Sequence, residues 1–172
     1  LHGGLALGGV VACALFAAVS GSSPATVVAI GSILLPAMVK QGYPKKFGVG
    51  VIGTAGALGI LIPPSIVMVI YAVSTNSSIG RLFIAGIVPG ILLAALLMVV
   101  TWVVAKMRNY PRMKRASLKE VWASFRESVW GLFLIVVVIG GIYAGIFTPT
   151  EAAAMSAAYA FFVSVFVYKD LT

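Results

Sequence analysis

The chain has 172 residues, of which 61% are hydrophobic and only 9% charged, with a net charge of +8. Soluble domains carry about 25% charged residues; here apolar runs fill almost the whole length and leave no polar half for a separate soluble domain. The composition reads as an all-α polytopic membrane protein that lives in a lipid bilayer.

The positive charge does not call for nucleic acid. The basic residues gather at the ends of apolar blocks, as Lys40, Lys45 and Lys46 and then Lys106, Arg108, Arg112, Lys114, Arg115 and Lys119, which is how cytoplasmic loops look under the positive-inside rule. The chain opens at Leu1 inside an apolar stretch, with no charged n-region and no small-residue cleavage site, so an internal fragment is expected rather than a signal peptide. The single cysteine, Cys13, has no internal partner and reads as a small packing residue. Lone His2 carries no signal.

Taken in order, residues 3–19 and 25–39 form two short apolar blocks, 47–73 a long one and 82–105 a fourth. Residues 129–167 exceed one span and divide at Thr148-Pro149-Thr150-Glu151, since a span needs about 20 residues to cross about 30 Å of hydrocarbon. With residues 40–46 inside, successive crossings put Thr75-Asn76-Ser77-Ser78 outside, residues 106–126 inside, Thr148 to Glu151 outside and Lys169 inside. The expected organisation is a hairpin over 1–41, a broken transmembrane helix over 42–78 and a transmembrane helix over 79–108. A cytoplasmic loop with an amphipathic helix follows over 109–128, then two further transmembrane helices over 129–172. Ser117 and Glu120 have capping-box spacing ahead of that amphipathic helix, which is either a loop helix packed on the bundle or an arm joining two moving parts.

Two interruptions carry the functional argument. The first, Ser20-Gly21-Ser22-Ser23-Pro24-Ala25-Thr26, separates two short blocks with almost no polar linker. Full spans and a re-entrant hairpin return the chain to the same side, so the charge pattern does not choose between them. The tip has four hydroxyls and no charge or aromatic to anchor it at an interface, which favours the hairpin. Pro24 suits the first turn of the returning helix, Ser22 or Ser23 its cap, and the free N–H groups and dipole there would face an anion. Unpaired carbonyls at the end of the preceding helix, near Ser20, suit a cation.

The second interruption is Gly59-Ile60-Leu61-Ile62-Pro63-Pro64-Ser65. Two prolines remove two donors and push Ile62 out of the helical region. Carbonyls one turn earlier lose their partners, a cost of several kcal/mol each in hydrocarbon unless something coordinates them. A sodium ion answers this need; a kinked helix sealed by neighbours is the alternative. Paired with the hydroxyl-rich tip, the ion site is the better reading, because secondary transporters build such sites on discontinuous helices.

Gly50, Gly53, Gly56 and Gly59 recur every third residue, and Gly86/Gly90 and Gly141/Gly145 are further small-residue pairs, read as close packing. Thr54 offers a hydroxyl to a ligand, Arg81 reads as an interfacial arginine, and Glu151 fits a first helical turn. No paired carboxylate, cysteine–histidine metal spacing or nucleotide-binding loop is present, so neither an enzyme nor an ATP-driven pump is expected.

Ala18-Val-Ser-Gly-Ser-Ser23, Ala29-Ile-Gly-Ser-Ile-Leu-Leu-Pro-Ala-Met38, Gly42-Tyr-Pro44, Ile62-Pro-Pro-Ser65, Ala85-Gly-Ile-Val-Pro-Gly90 and Phe147-Thr-Pro-Thr-Glu-Ala-Ala153 together resemble the large membrane subunit of tripartite ATP-independent periplasmic (TRAP) transporters, along the whole chain and in order. The resemblance implies an elevator-type fold of the ion-transporter superfamily in the bacterial or archaeal inner membrane. It also implies a small Q-type membrane subunit as partner and a periplasmic binding protein that delivers a C4-dicarboxylate, keto acid or sialic acid for sodium-driven uptake. By position, Ser20, Gly21, Ser22 and Ser23 match the tip of the first hairpin, and Gly59, Ile62 and Pro64 the unwound helix whose carbonyls help bind sodium. The expected site is therefore Ser22, Ser23, Pro24, Thr26 and Thr54 for substrate, and Ser20, Gly21, Ser22, Gly59, Ile62 and Pro64 for sodium, the only metal expected. The helix from Ser117 matches a connector arm. The family's second hairpin and second broken helix would lie beyond Thr172, so the remaining part of the large subunit is a required partner. The alternatives are a stand-alone sodium/dicarboxylate symporter and a non-transporting membrane scaffold subunit.

Overall fold

A computed structural model describes residues 2–112 and 117–168, and every regular element among them is helical. The chain divides into two compact units, Leu1–Arg115 and Ala116–Thr172. Lys114, Arg115 and Lys169, three of the basic residues assigned above to the inner face, lie outside the described residues.

In the first unit α1 (Gly4–Ser20) and α2 (Ser23–Lys40) form an antiparallel-type helical hairpin joined only through Gly21 and Ser22. Gly21 makes the turn possible: it sits at φ +60° and donates its N–H to the Ala17 carbonyl at 2.9 Å, the left-handed helix ending that a Cβ would strain. Pro24 lies in the first turn of α2, where its missing N–H removes no helical bond.

The third apolar block breaks where its prolines fall. It forms α3 (Lys45–Gly56), a single turn α4 (Leu58–Leu61) and, after an extended stretch, α5 (Ile66–Thr75). Ile62, before Pro63, takes φ −79° and ψ 120°, the region to which a following proline restricts a residue; the Pro63-Pro64 bond is cis. The unit closes with α6 (Ile79–Met107), a 29-residue helix that starts where the Ser78 hydroxyl accepts the Arg81 N–H at 3.4 Å and passes through Pro89 without ending.

The core of this unit forms where α1, α2 and α3 pack mutually. Ala6, Met38, Tyr43 and Ile52 make one buried cluster, and Val10, Cys13, Val51 and Ala55 another. Cys13 is buried there as a packing residue. At the base of the hairpin the rings of Tyr43 and Phe47 stack and Tyr110 packs tilted against both, with Phe47 and Tyr110 centroids 4.7 Å apart. The Tyr43 hydroxyl donates to the Pro111 carbonyl at 3.1 Å, so the segment after α6 is tied back to the α2–α3 loop.

The second unit is α7 (Leu118–Tyr143) and α8 (Pro149–Phe162), the latter continued by a π-helical turn over Val163–Tyr168. Both start in full capping boxes, Ser117 with Glu120 and Thr148 with Glu151. The amphipathic helix expected to end near residue 128 does not end there. It continues through Val129 as one helix with the following span, because no glycine or proline occurs between Ser117 and Gly131 and the capping box starts a helix that nothing stops. Among the described residues, five segments are long and apolar enough to cross a membrane: Ser23–Lys40, Lys45–Thr75, Ile79–Met107, Leu118–Tyr143 and Pro149–Tyr168.

Candidate functional site

The two interruptions of the first unit meet. At the start of α5 the Ile66 N–H donates to the Gly21 carbonyl at the hairpin tip, 3.1 Å away. A Cβ on Gly21 would fall 2.6 Å from the Pro64 carbonyl oxygen, and one on Gly59 would fall 2.8 Å from the main chain of both Ser22 and Ser23. The tip therefore touches both halves of the broken segment through backbone alone, at a closeness that only glycine permits. From behind, α6 presents two more glycines: a Cβ on Gly86 would lie 2.7 Å from the Leu61 carbonyl oxygen, and one on Gly90 3.0 Å from Ile62 Cγ1. The break lies roughly 25 Å along the helix axis from Lys45 and about 15 Å from Thr75, so the tip is level with the interior of that segment.

The residues 20–26 and 59–66 contain no titratable side chain, so the electrostatics of the site come from backbone dipoles and hydroxyls. Pro63 and Pro64 donate no hydrogen bond, which leaves the Gly59 and Ile60 carbonyls without the donors that a continuous helix would supply. Ser65 is 1% exposed, and its hydroxyl has no hydrogen-bond partner. A buried orphan hydroxyl costs about 1–3 kcal/mol. Carbonyl and hydroxyl oxygens are the donor type that suits a hard cation such as sodium.

The expected residues divide by what their groups already do. Ser22 holds the N-cap position of α2 with extended backbone, but its side chain makes no capping bond. Its carbonyl is the engaged group instead, accepting the Thr26 N–H at 3.0 Å and the Thr26 hydroxyl at 2.8 Å. Thr26 is fully buried, and its hydroxyl also lies 3.1 Å from that of Ser20. The Thr54 hydroxyl donates to the Gly50 carbonyl of its own helix at 2.7 Å, away from the tip-and-break contact. Gly21, Ser22, Ser23, Gly59 and Pro64 are brought together, whereas Thr26 and Thr54 spend their hydroxyls locally. Pro24 is exposed at the start of α2. Ser65, Gly86 and Gly90 belong to the cradle and were not expected in it. The signal for Ser65 was a hydroxyl placed directly after the double proline; for the glycines, their four-residue spacing says close packing but not against what.

The whole chain, residues 1–172, matches the family described as the tripartite ATP-independent periplasmic transporter, DctM component. The chain belongs to that family. It is 68% identical over 185 residues to the C4-dicarboxylate TRAP transporter large permease protein DctM of Rhodobacter capsulatus, covering 99% of this chain and 42% of that protein. It is 59% identical to the DctM of Pseudomonas aeruginosa, over 99% of this chain and 40% of the relative. The sialic acid TRAP transporter permease protein SiaT of Haemophilus influenzae is 40% identical, over 99% of this chain and 28% of its own length. The chain thus spans about two fifths of the DctM relatives it matches. These DctM proteins are transporter permease proteins, not enzymes.

Proposed function

We propose that the complete protein is the transporting subunit of a sodium-coupled organic-acid carrier, and that the tip-and-break cradle is one of its ion sites. The observation that carries this reading is the meeting of the two helix breaks through their backbones, beside the buried orphan Ser65 hydroxyl at the start of α5. In hydrocarbon such groups persist only where something satisfies them. The level of the tip with the interior of Lys45–Thr75 supports a re-entrant hairpin over 1–41, entered from the side of the lysines at 40–46. The interlock of tip, break and α6 supports these elements moving as one body in an elevator cycle, with 129–172 on the scaffold side and the start of α7 as the connector. Positive charge at 40–46 and 106–126 supports a cytoplasmic position for those segments in the inner membrane.

C4-dicarboxylates are the favoured substrate class, because the DctM relatives named for them are 68% and 59% identical, against 40% for the sialic acid permease. The partners are a small membrane subunit, a periplasmic binding protein and the remaining part of the large subunit. The test is uptake of labelled succinate into liposomes holding the complete protein with its small subunit. Uptake should require both an inward sodium gradient and added binding protein. Sodium-independent uptake would refute the coupling, uptake without the binding protein would indicate a stand-alone symporter, and no uptake at all would indicate a scaffold subunit.

A further inference from the structure

Unit Ala116–Thr172 holds a feature that the transport reading does not use: a cleft of about 590 Å³ between the start of α7 and the end of the π-helical turn after α8. Lys119, Trp122, Arg126 and Trp130 line one wall, at spacings that place them on a single face of α7. The opposite wall is formed by Val167 and Tyr168, and the Tyr168 hydroxyl donates to the Glu127 carbonyl at 2.6 Å, which fixes that wall against α7. Within this chain Trp122 is 69% exposed and Trp130 44% exposed.

We propose that this cleft binds the headgroup of an anionic phospholipid of the phosphatidylglycerol class. Trp122 lies in the second turn of α7 and Trp130 at its midpoint, where the charged run 119–127 gives way to continuous apolar residues; amphipathic rings take up the headgroup level at such a boundary. Lys119 and Arg126, two turns apart on the same face, supply the cations. A guanidinium fork matches a phosphate bidentately, while the lysine adds a mobile point charge. The indoles cover the glycerol backbone and the first methylenes. Glu127 lines the same cleft and supplies a carboxylate that accepts from headgroup hydroxyls, which favours a glycerol headgroup over choline. Free phosphate would use the cations but leave the apolar surface uncovered. The inference needs only that α7 and α8 span the membrane, and it stands apart from the sodium reading.

The experiment uses the complete large subunit with its small partner, delipidated in detergent and titrated with phosphatidylglycerol or phosphatidylcholine under native mass spectrometry. The wild type should retain phosphatidylglycerol preferentially. Each basic residue near an anionic headgroup strengthens attraction about fivefold, so Lys119→Gln with Arg126→Gln should weaken phosphatidylglycerol binding on the order of 25-fold. The charge-matched control, Lys45→Gln with Lys46→Gln, should leave it unchanged. Equal weakening by both double variants, no preference over phosphatidylcholine, or full displacement by soluble glycerol phosphate would each overturn the proposal. A photoactivatable phosphatidylglycerol provides a readout that needs no variant: crosslinks should map to residues 118–130 and 163–168, and their absence there would overturn it equally.

Discussion

In the first unit the chain is interrupted inside its apolar segments, and the gaps are closed by main-chain atoms of a neighbouring segment: Ile66 N–H to the Gly21 carbonyl, Gly59 against Ser22 and Ser23, Gly86 against Leu61. In the second unit the helices are continuous, and side chains close their ends, Ser117 with Glu120 and Thr148 with Glu151. Both solutions give partners to backbone groups that a helix end leaves free. They differ in what they leave over. A capping box satisfies two N–H groups at a helix start with side chains of the same turn. The interlocked breaks leave the Ser65 hydroxyl buried without a partner, and Pro63 and Pro64 offer no N–H to the Gly59 and Ile60 carbonyls.

The sharpest way to break this comparison is to add one methyl group in each unit. Gly59→Ala places a Cβ 2.8 Å from the Ser22 and Ser23 main chain, which has no side-chain freedom to give way. Overpacking of this kind costs about 1–3 kcal/mol and more where backbone must move. Gly131→Ala, with nothing within 4 Å of its Cβ, should instead stabilise by roughly 0.5–1 kcal/mol through helix propensity. Thermal unfolding of the complete protein should therefore shift down for the first and up for the second. Equal shifts would show that the tip does not press on the break. Gly21→Ala should cost at least as much as Gly59→Ala: its left-handed backbone alone costs about 1–2 kcal/mol, and the added Cβ would also meet the Pro64 carbonyl at 2.6 Å.

These glycines show how far the sequence could be read. The break at Ile62-Pro63-Pro64 was legible because proline chemistry acts on its immediate neighbours, and the turn at Gly21 because a helix ends most easily on a glycine. Partner choice was less legible. Gly50, Gly53, Gly56 and Gly59 look alike in sequence, yet a Cβ on Gly50 or Gly53 would meet nothing, while Gly56 meets Val27 and Gly59 the hairpin tip. Which glycines matter depends on what crosses them, and that is a tertiary fact. The Thr26 and Thr54 hydroxyls each donate to the carbonyl one turn back, as a threonine in a helix readily does, and the sequence alone does not show which hydroxyls do so. The run from Ser117 through Val129 was divided by its change in polarity, although helix continuity follows breakers rather than polarity.

Ser65→Ala probes the same cradle with a smaller effect and a diagnostic sign. Without sodium, removing a buried hydroxyl that has no partner should be neutral or stabilising by up to about 1 kcal/mol, because no bond is lost and an unsatisfied group disappears. With sodium, a wild-type protein that binds the ion only when folded gains stability by mass action. The variant should lose part of that gain, so its advantage should reverse as sodium is raised, while potassium at equal ionic strength leaves the order of melting temperatures unchanged. If Ser65→Ala tracks the wild type at every sodium concentration, the hydroxyl is not a ligand.

The smallest effect belongs to the second unit. Ser117→Ala removes the hydroxyl that accepts the Glu120 N–H at 3.3 Å, while the Glu120 carboxylate still accepts the Ser117 N–H at 2.7 Å. Loss of an N-cap side chain costs about 1 kcal/mol, and here half of the reciprocal pair survives. Hydrogen exchange should therefore accelerate severalfold at the first turn of α7 and nowhere in the hairpin, and the sodium response should stay intact. That separation is the point of the measurement: a cap is a local device whose removal frays one helix end, whereas Gly59 and Gly21 are shared between segments and their substitution should be felt on both sides of the break. Should Ser117→Ala alter sodium stabilisation as strongly as Ser65→Ala, the two units would be coupled through more than their separate means of closing the backbone.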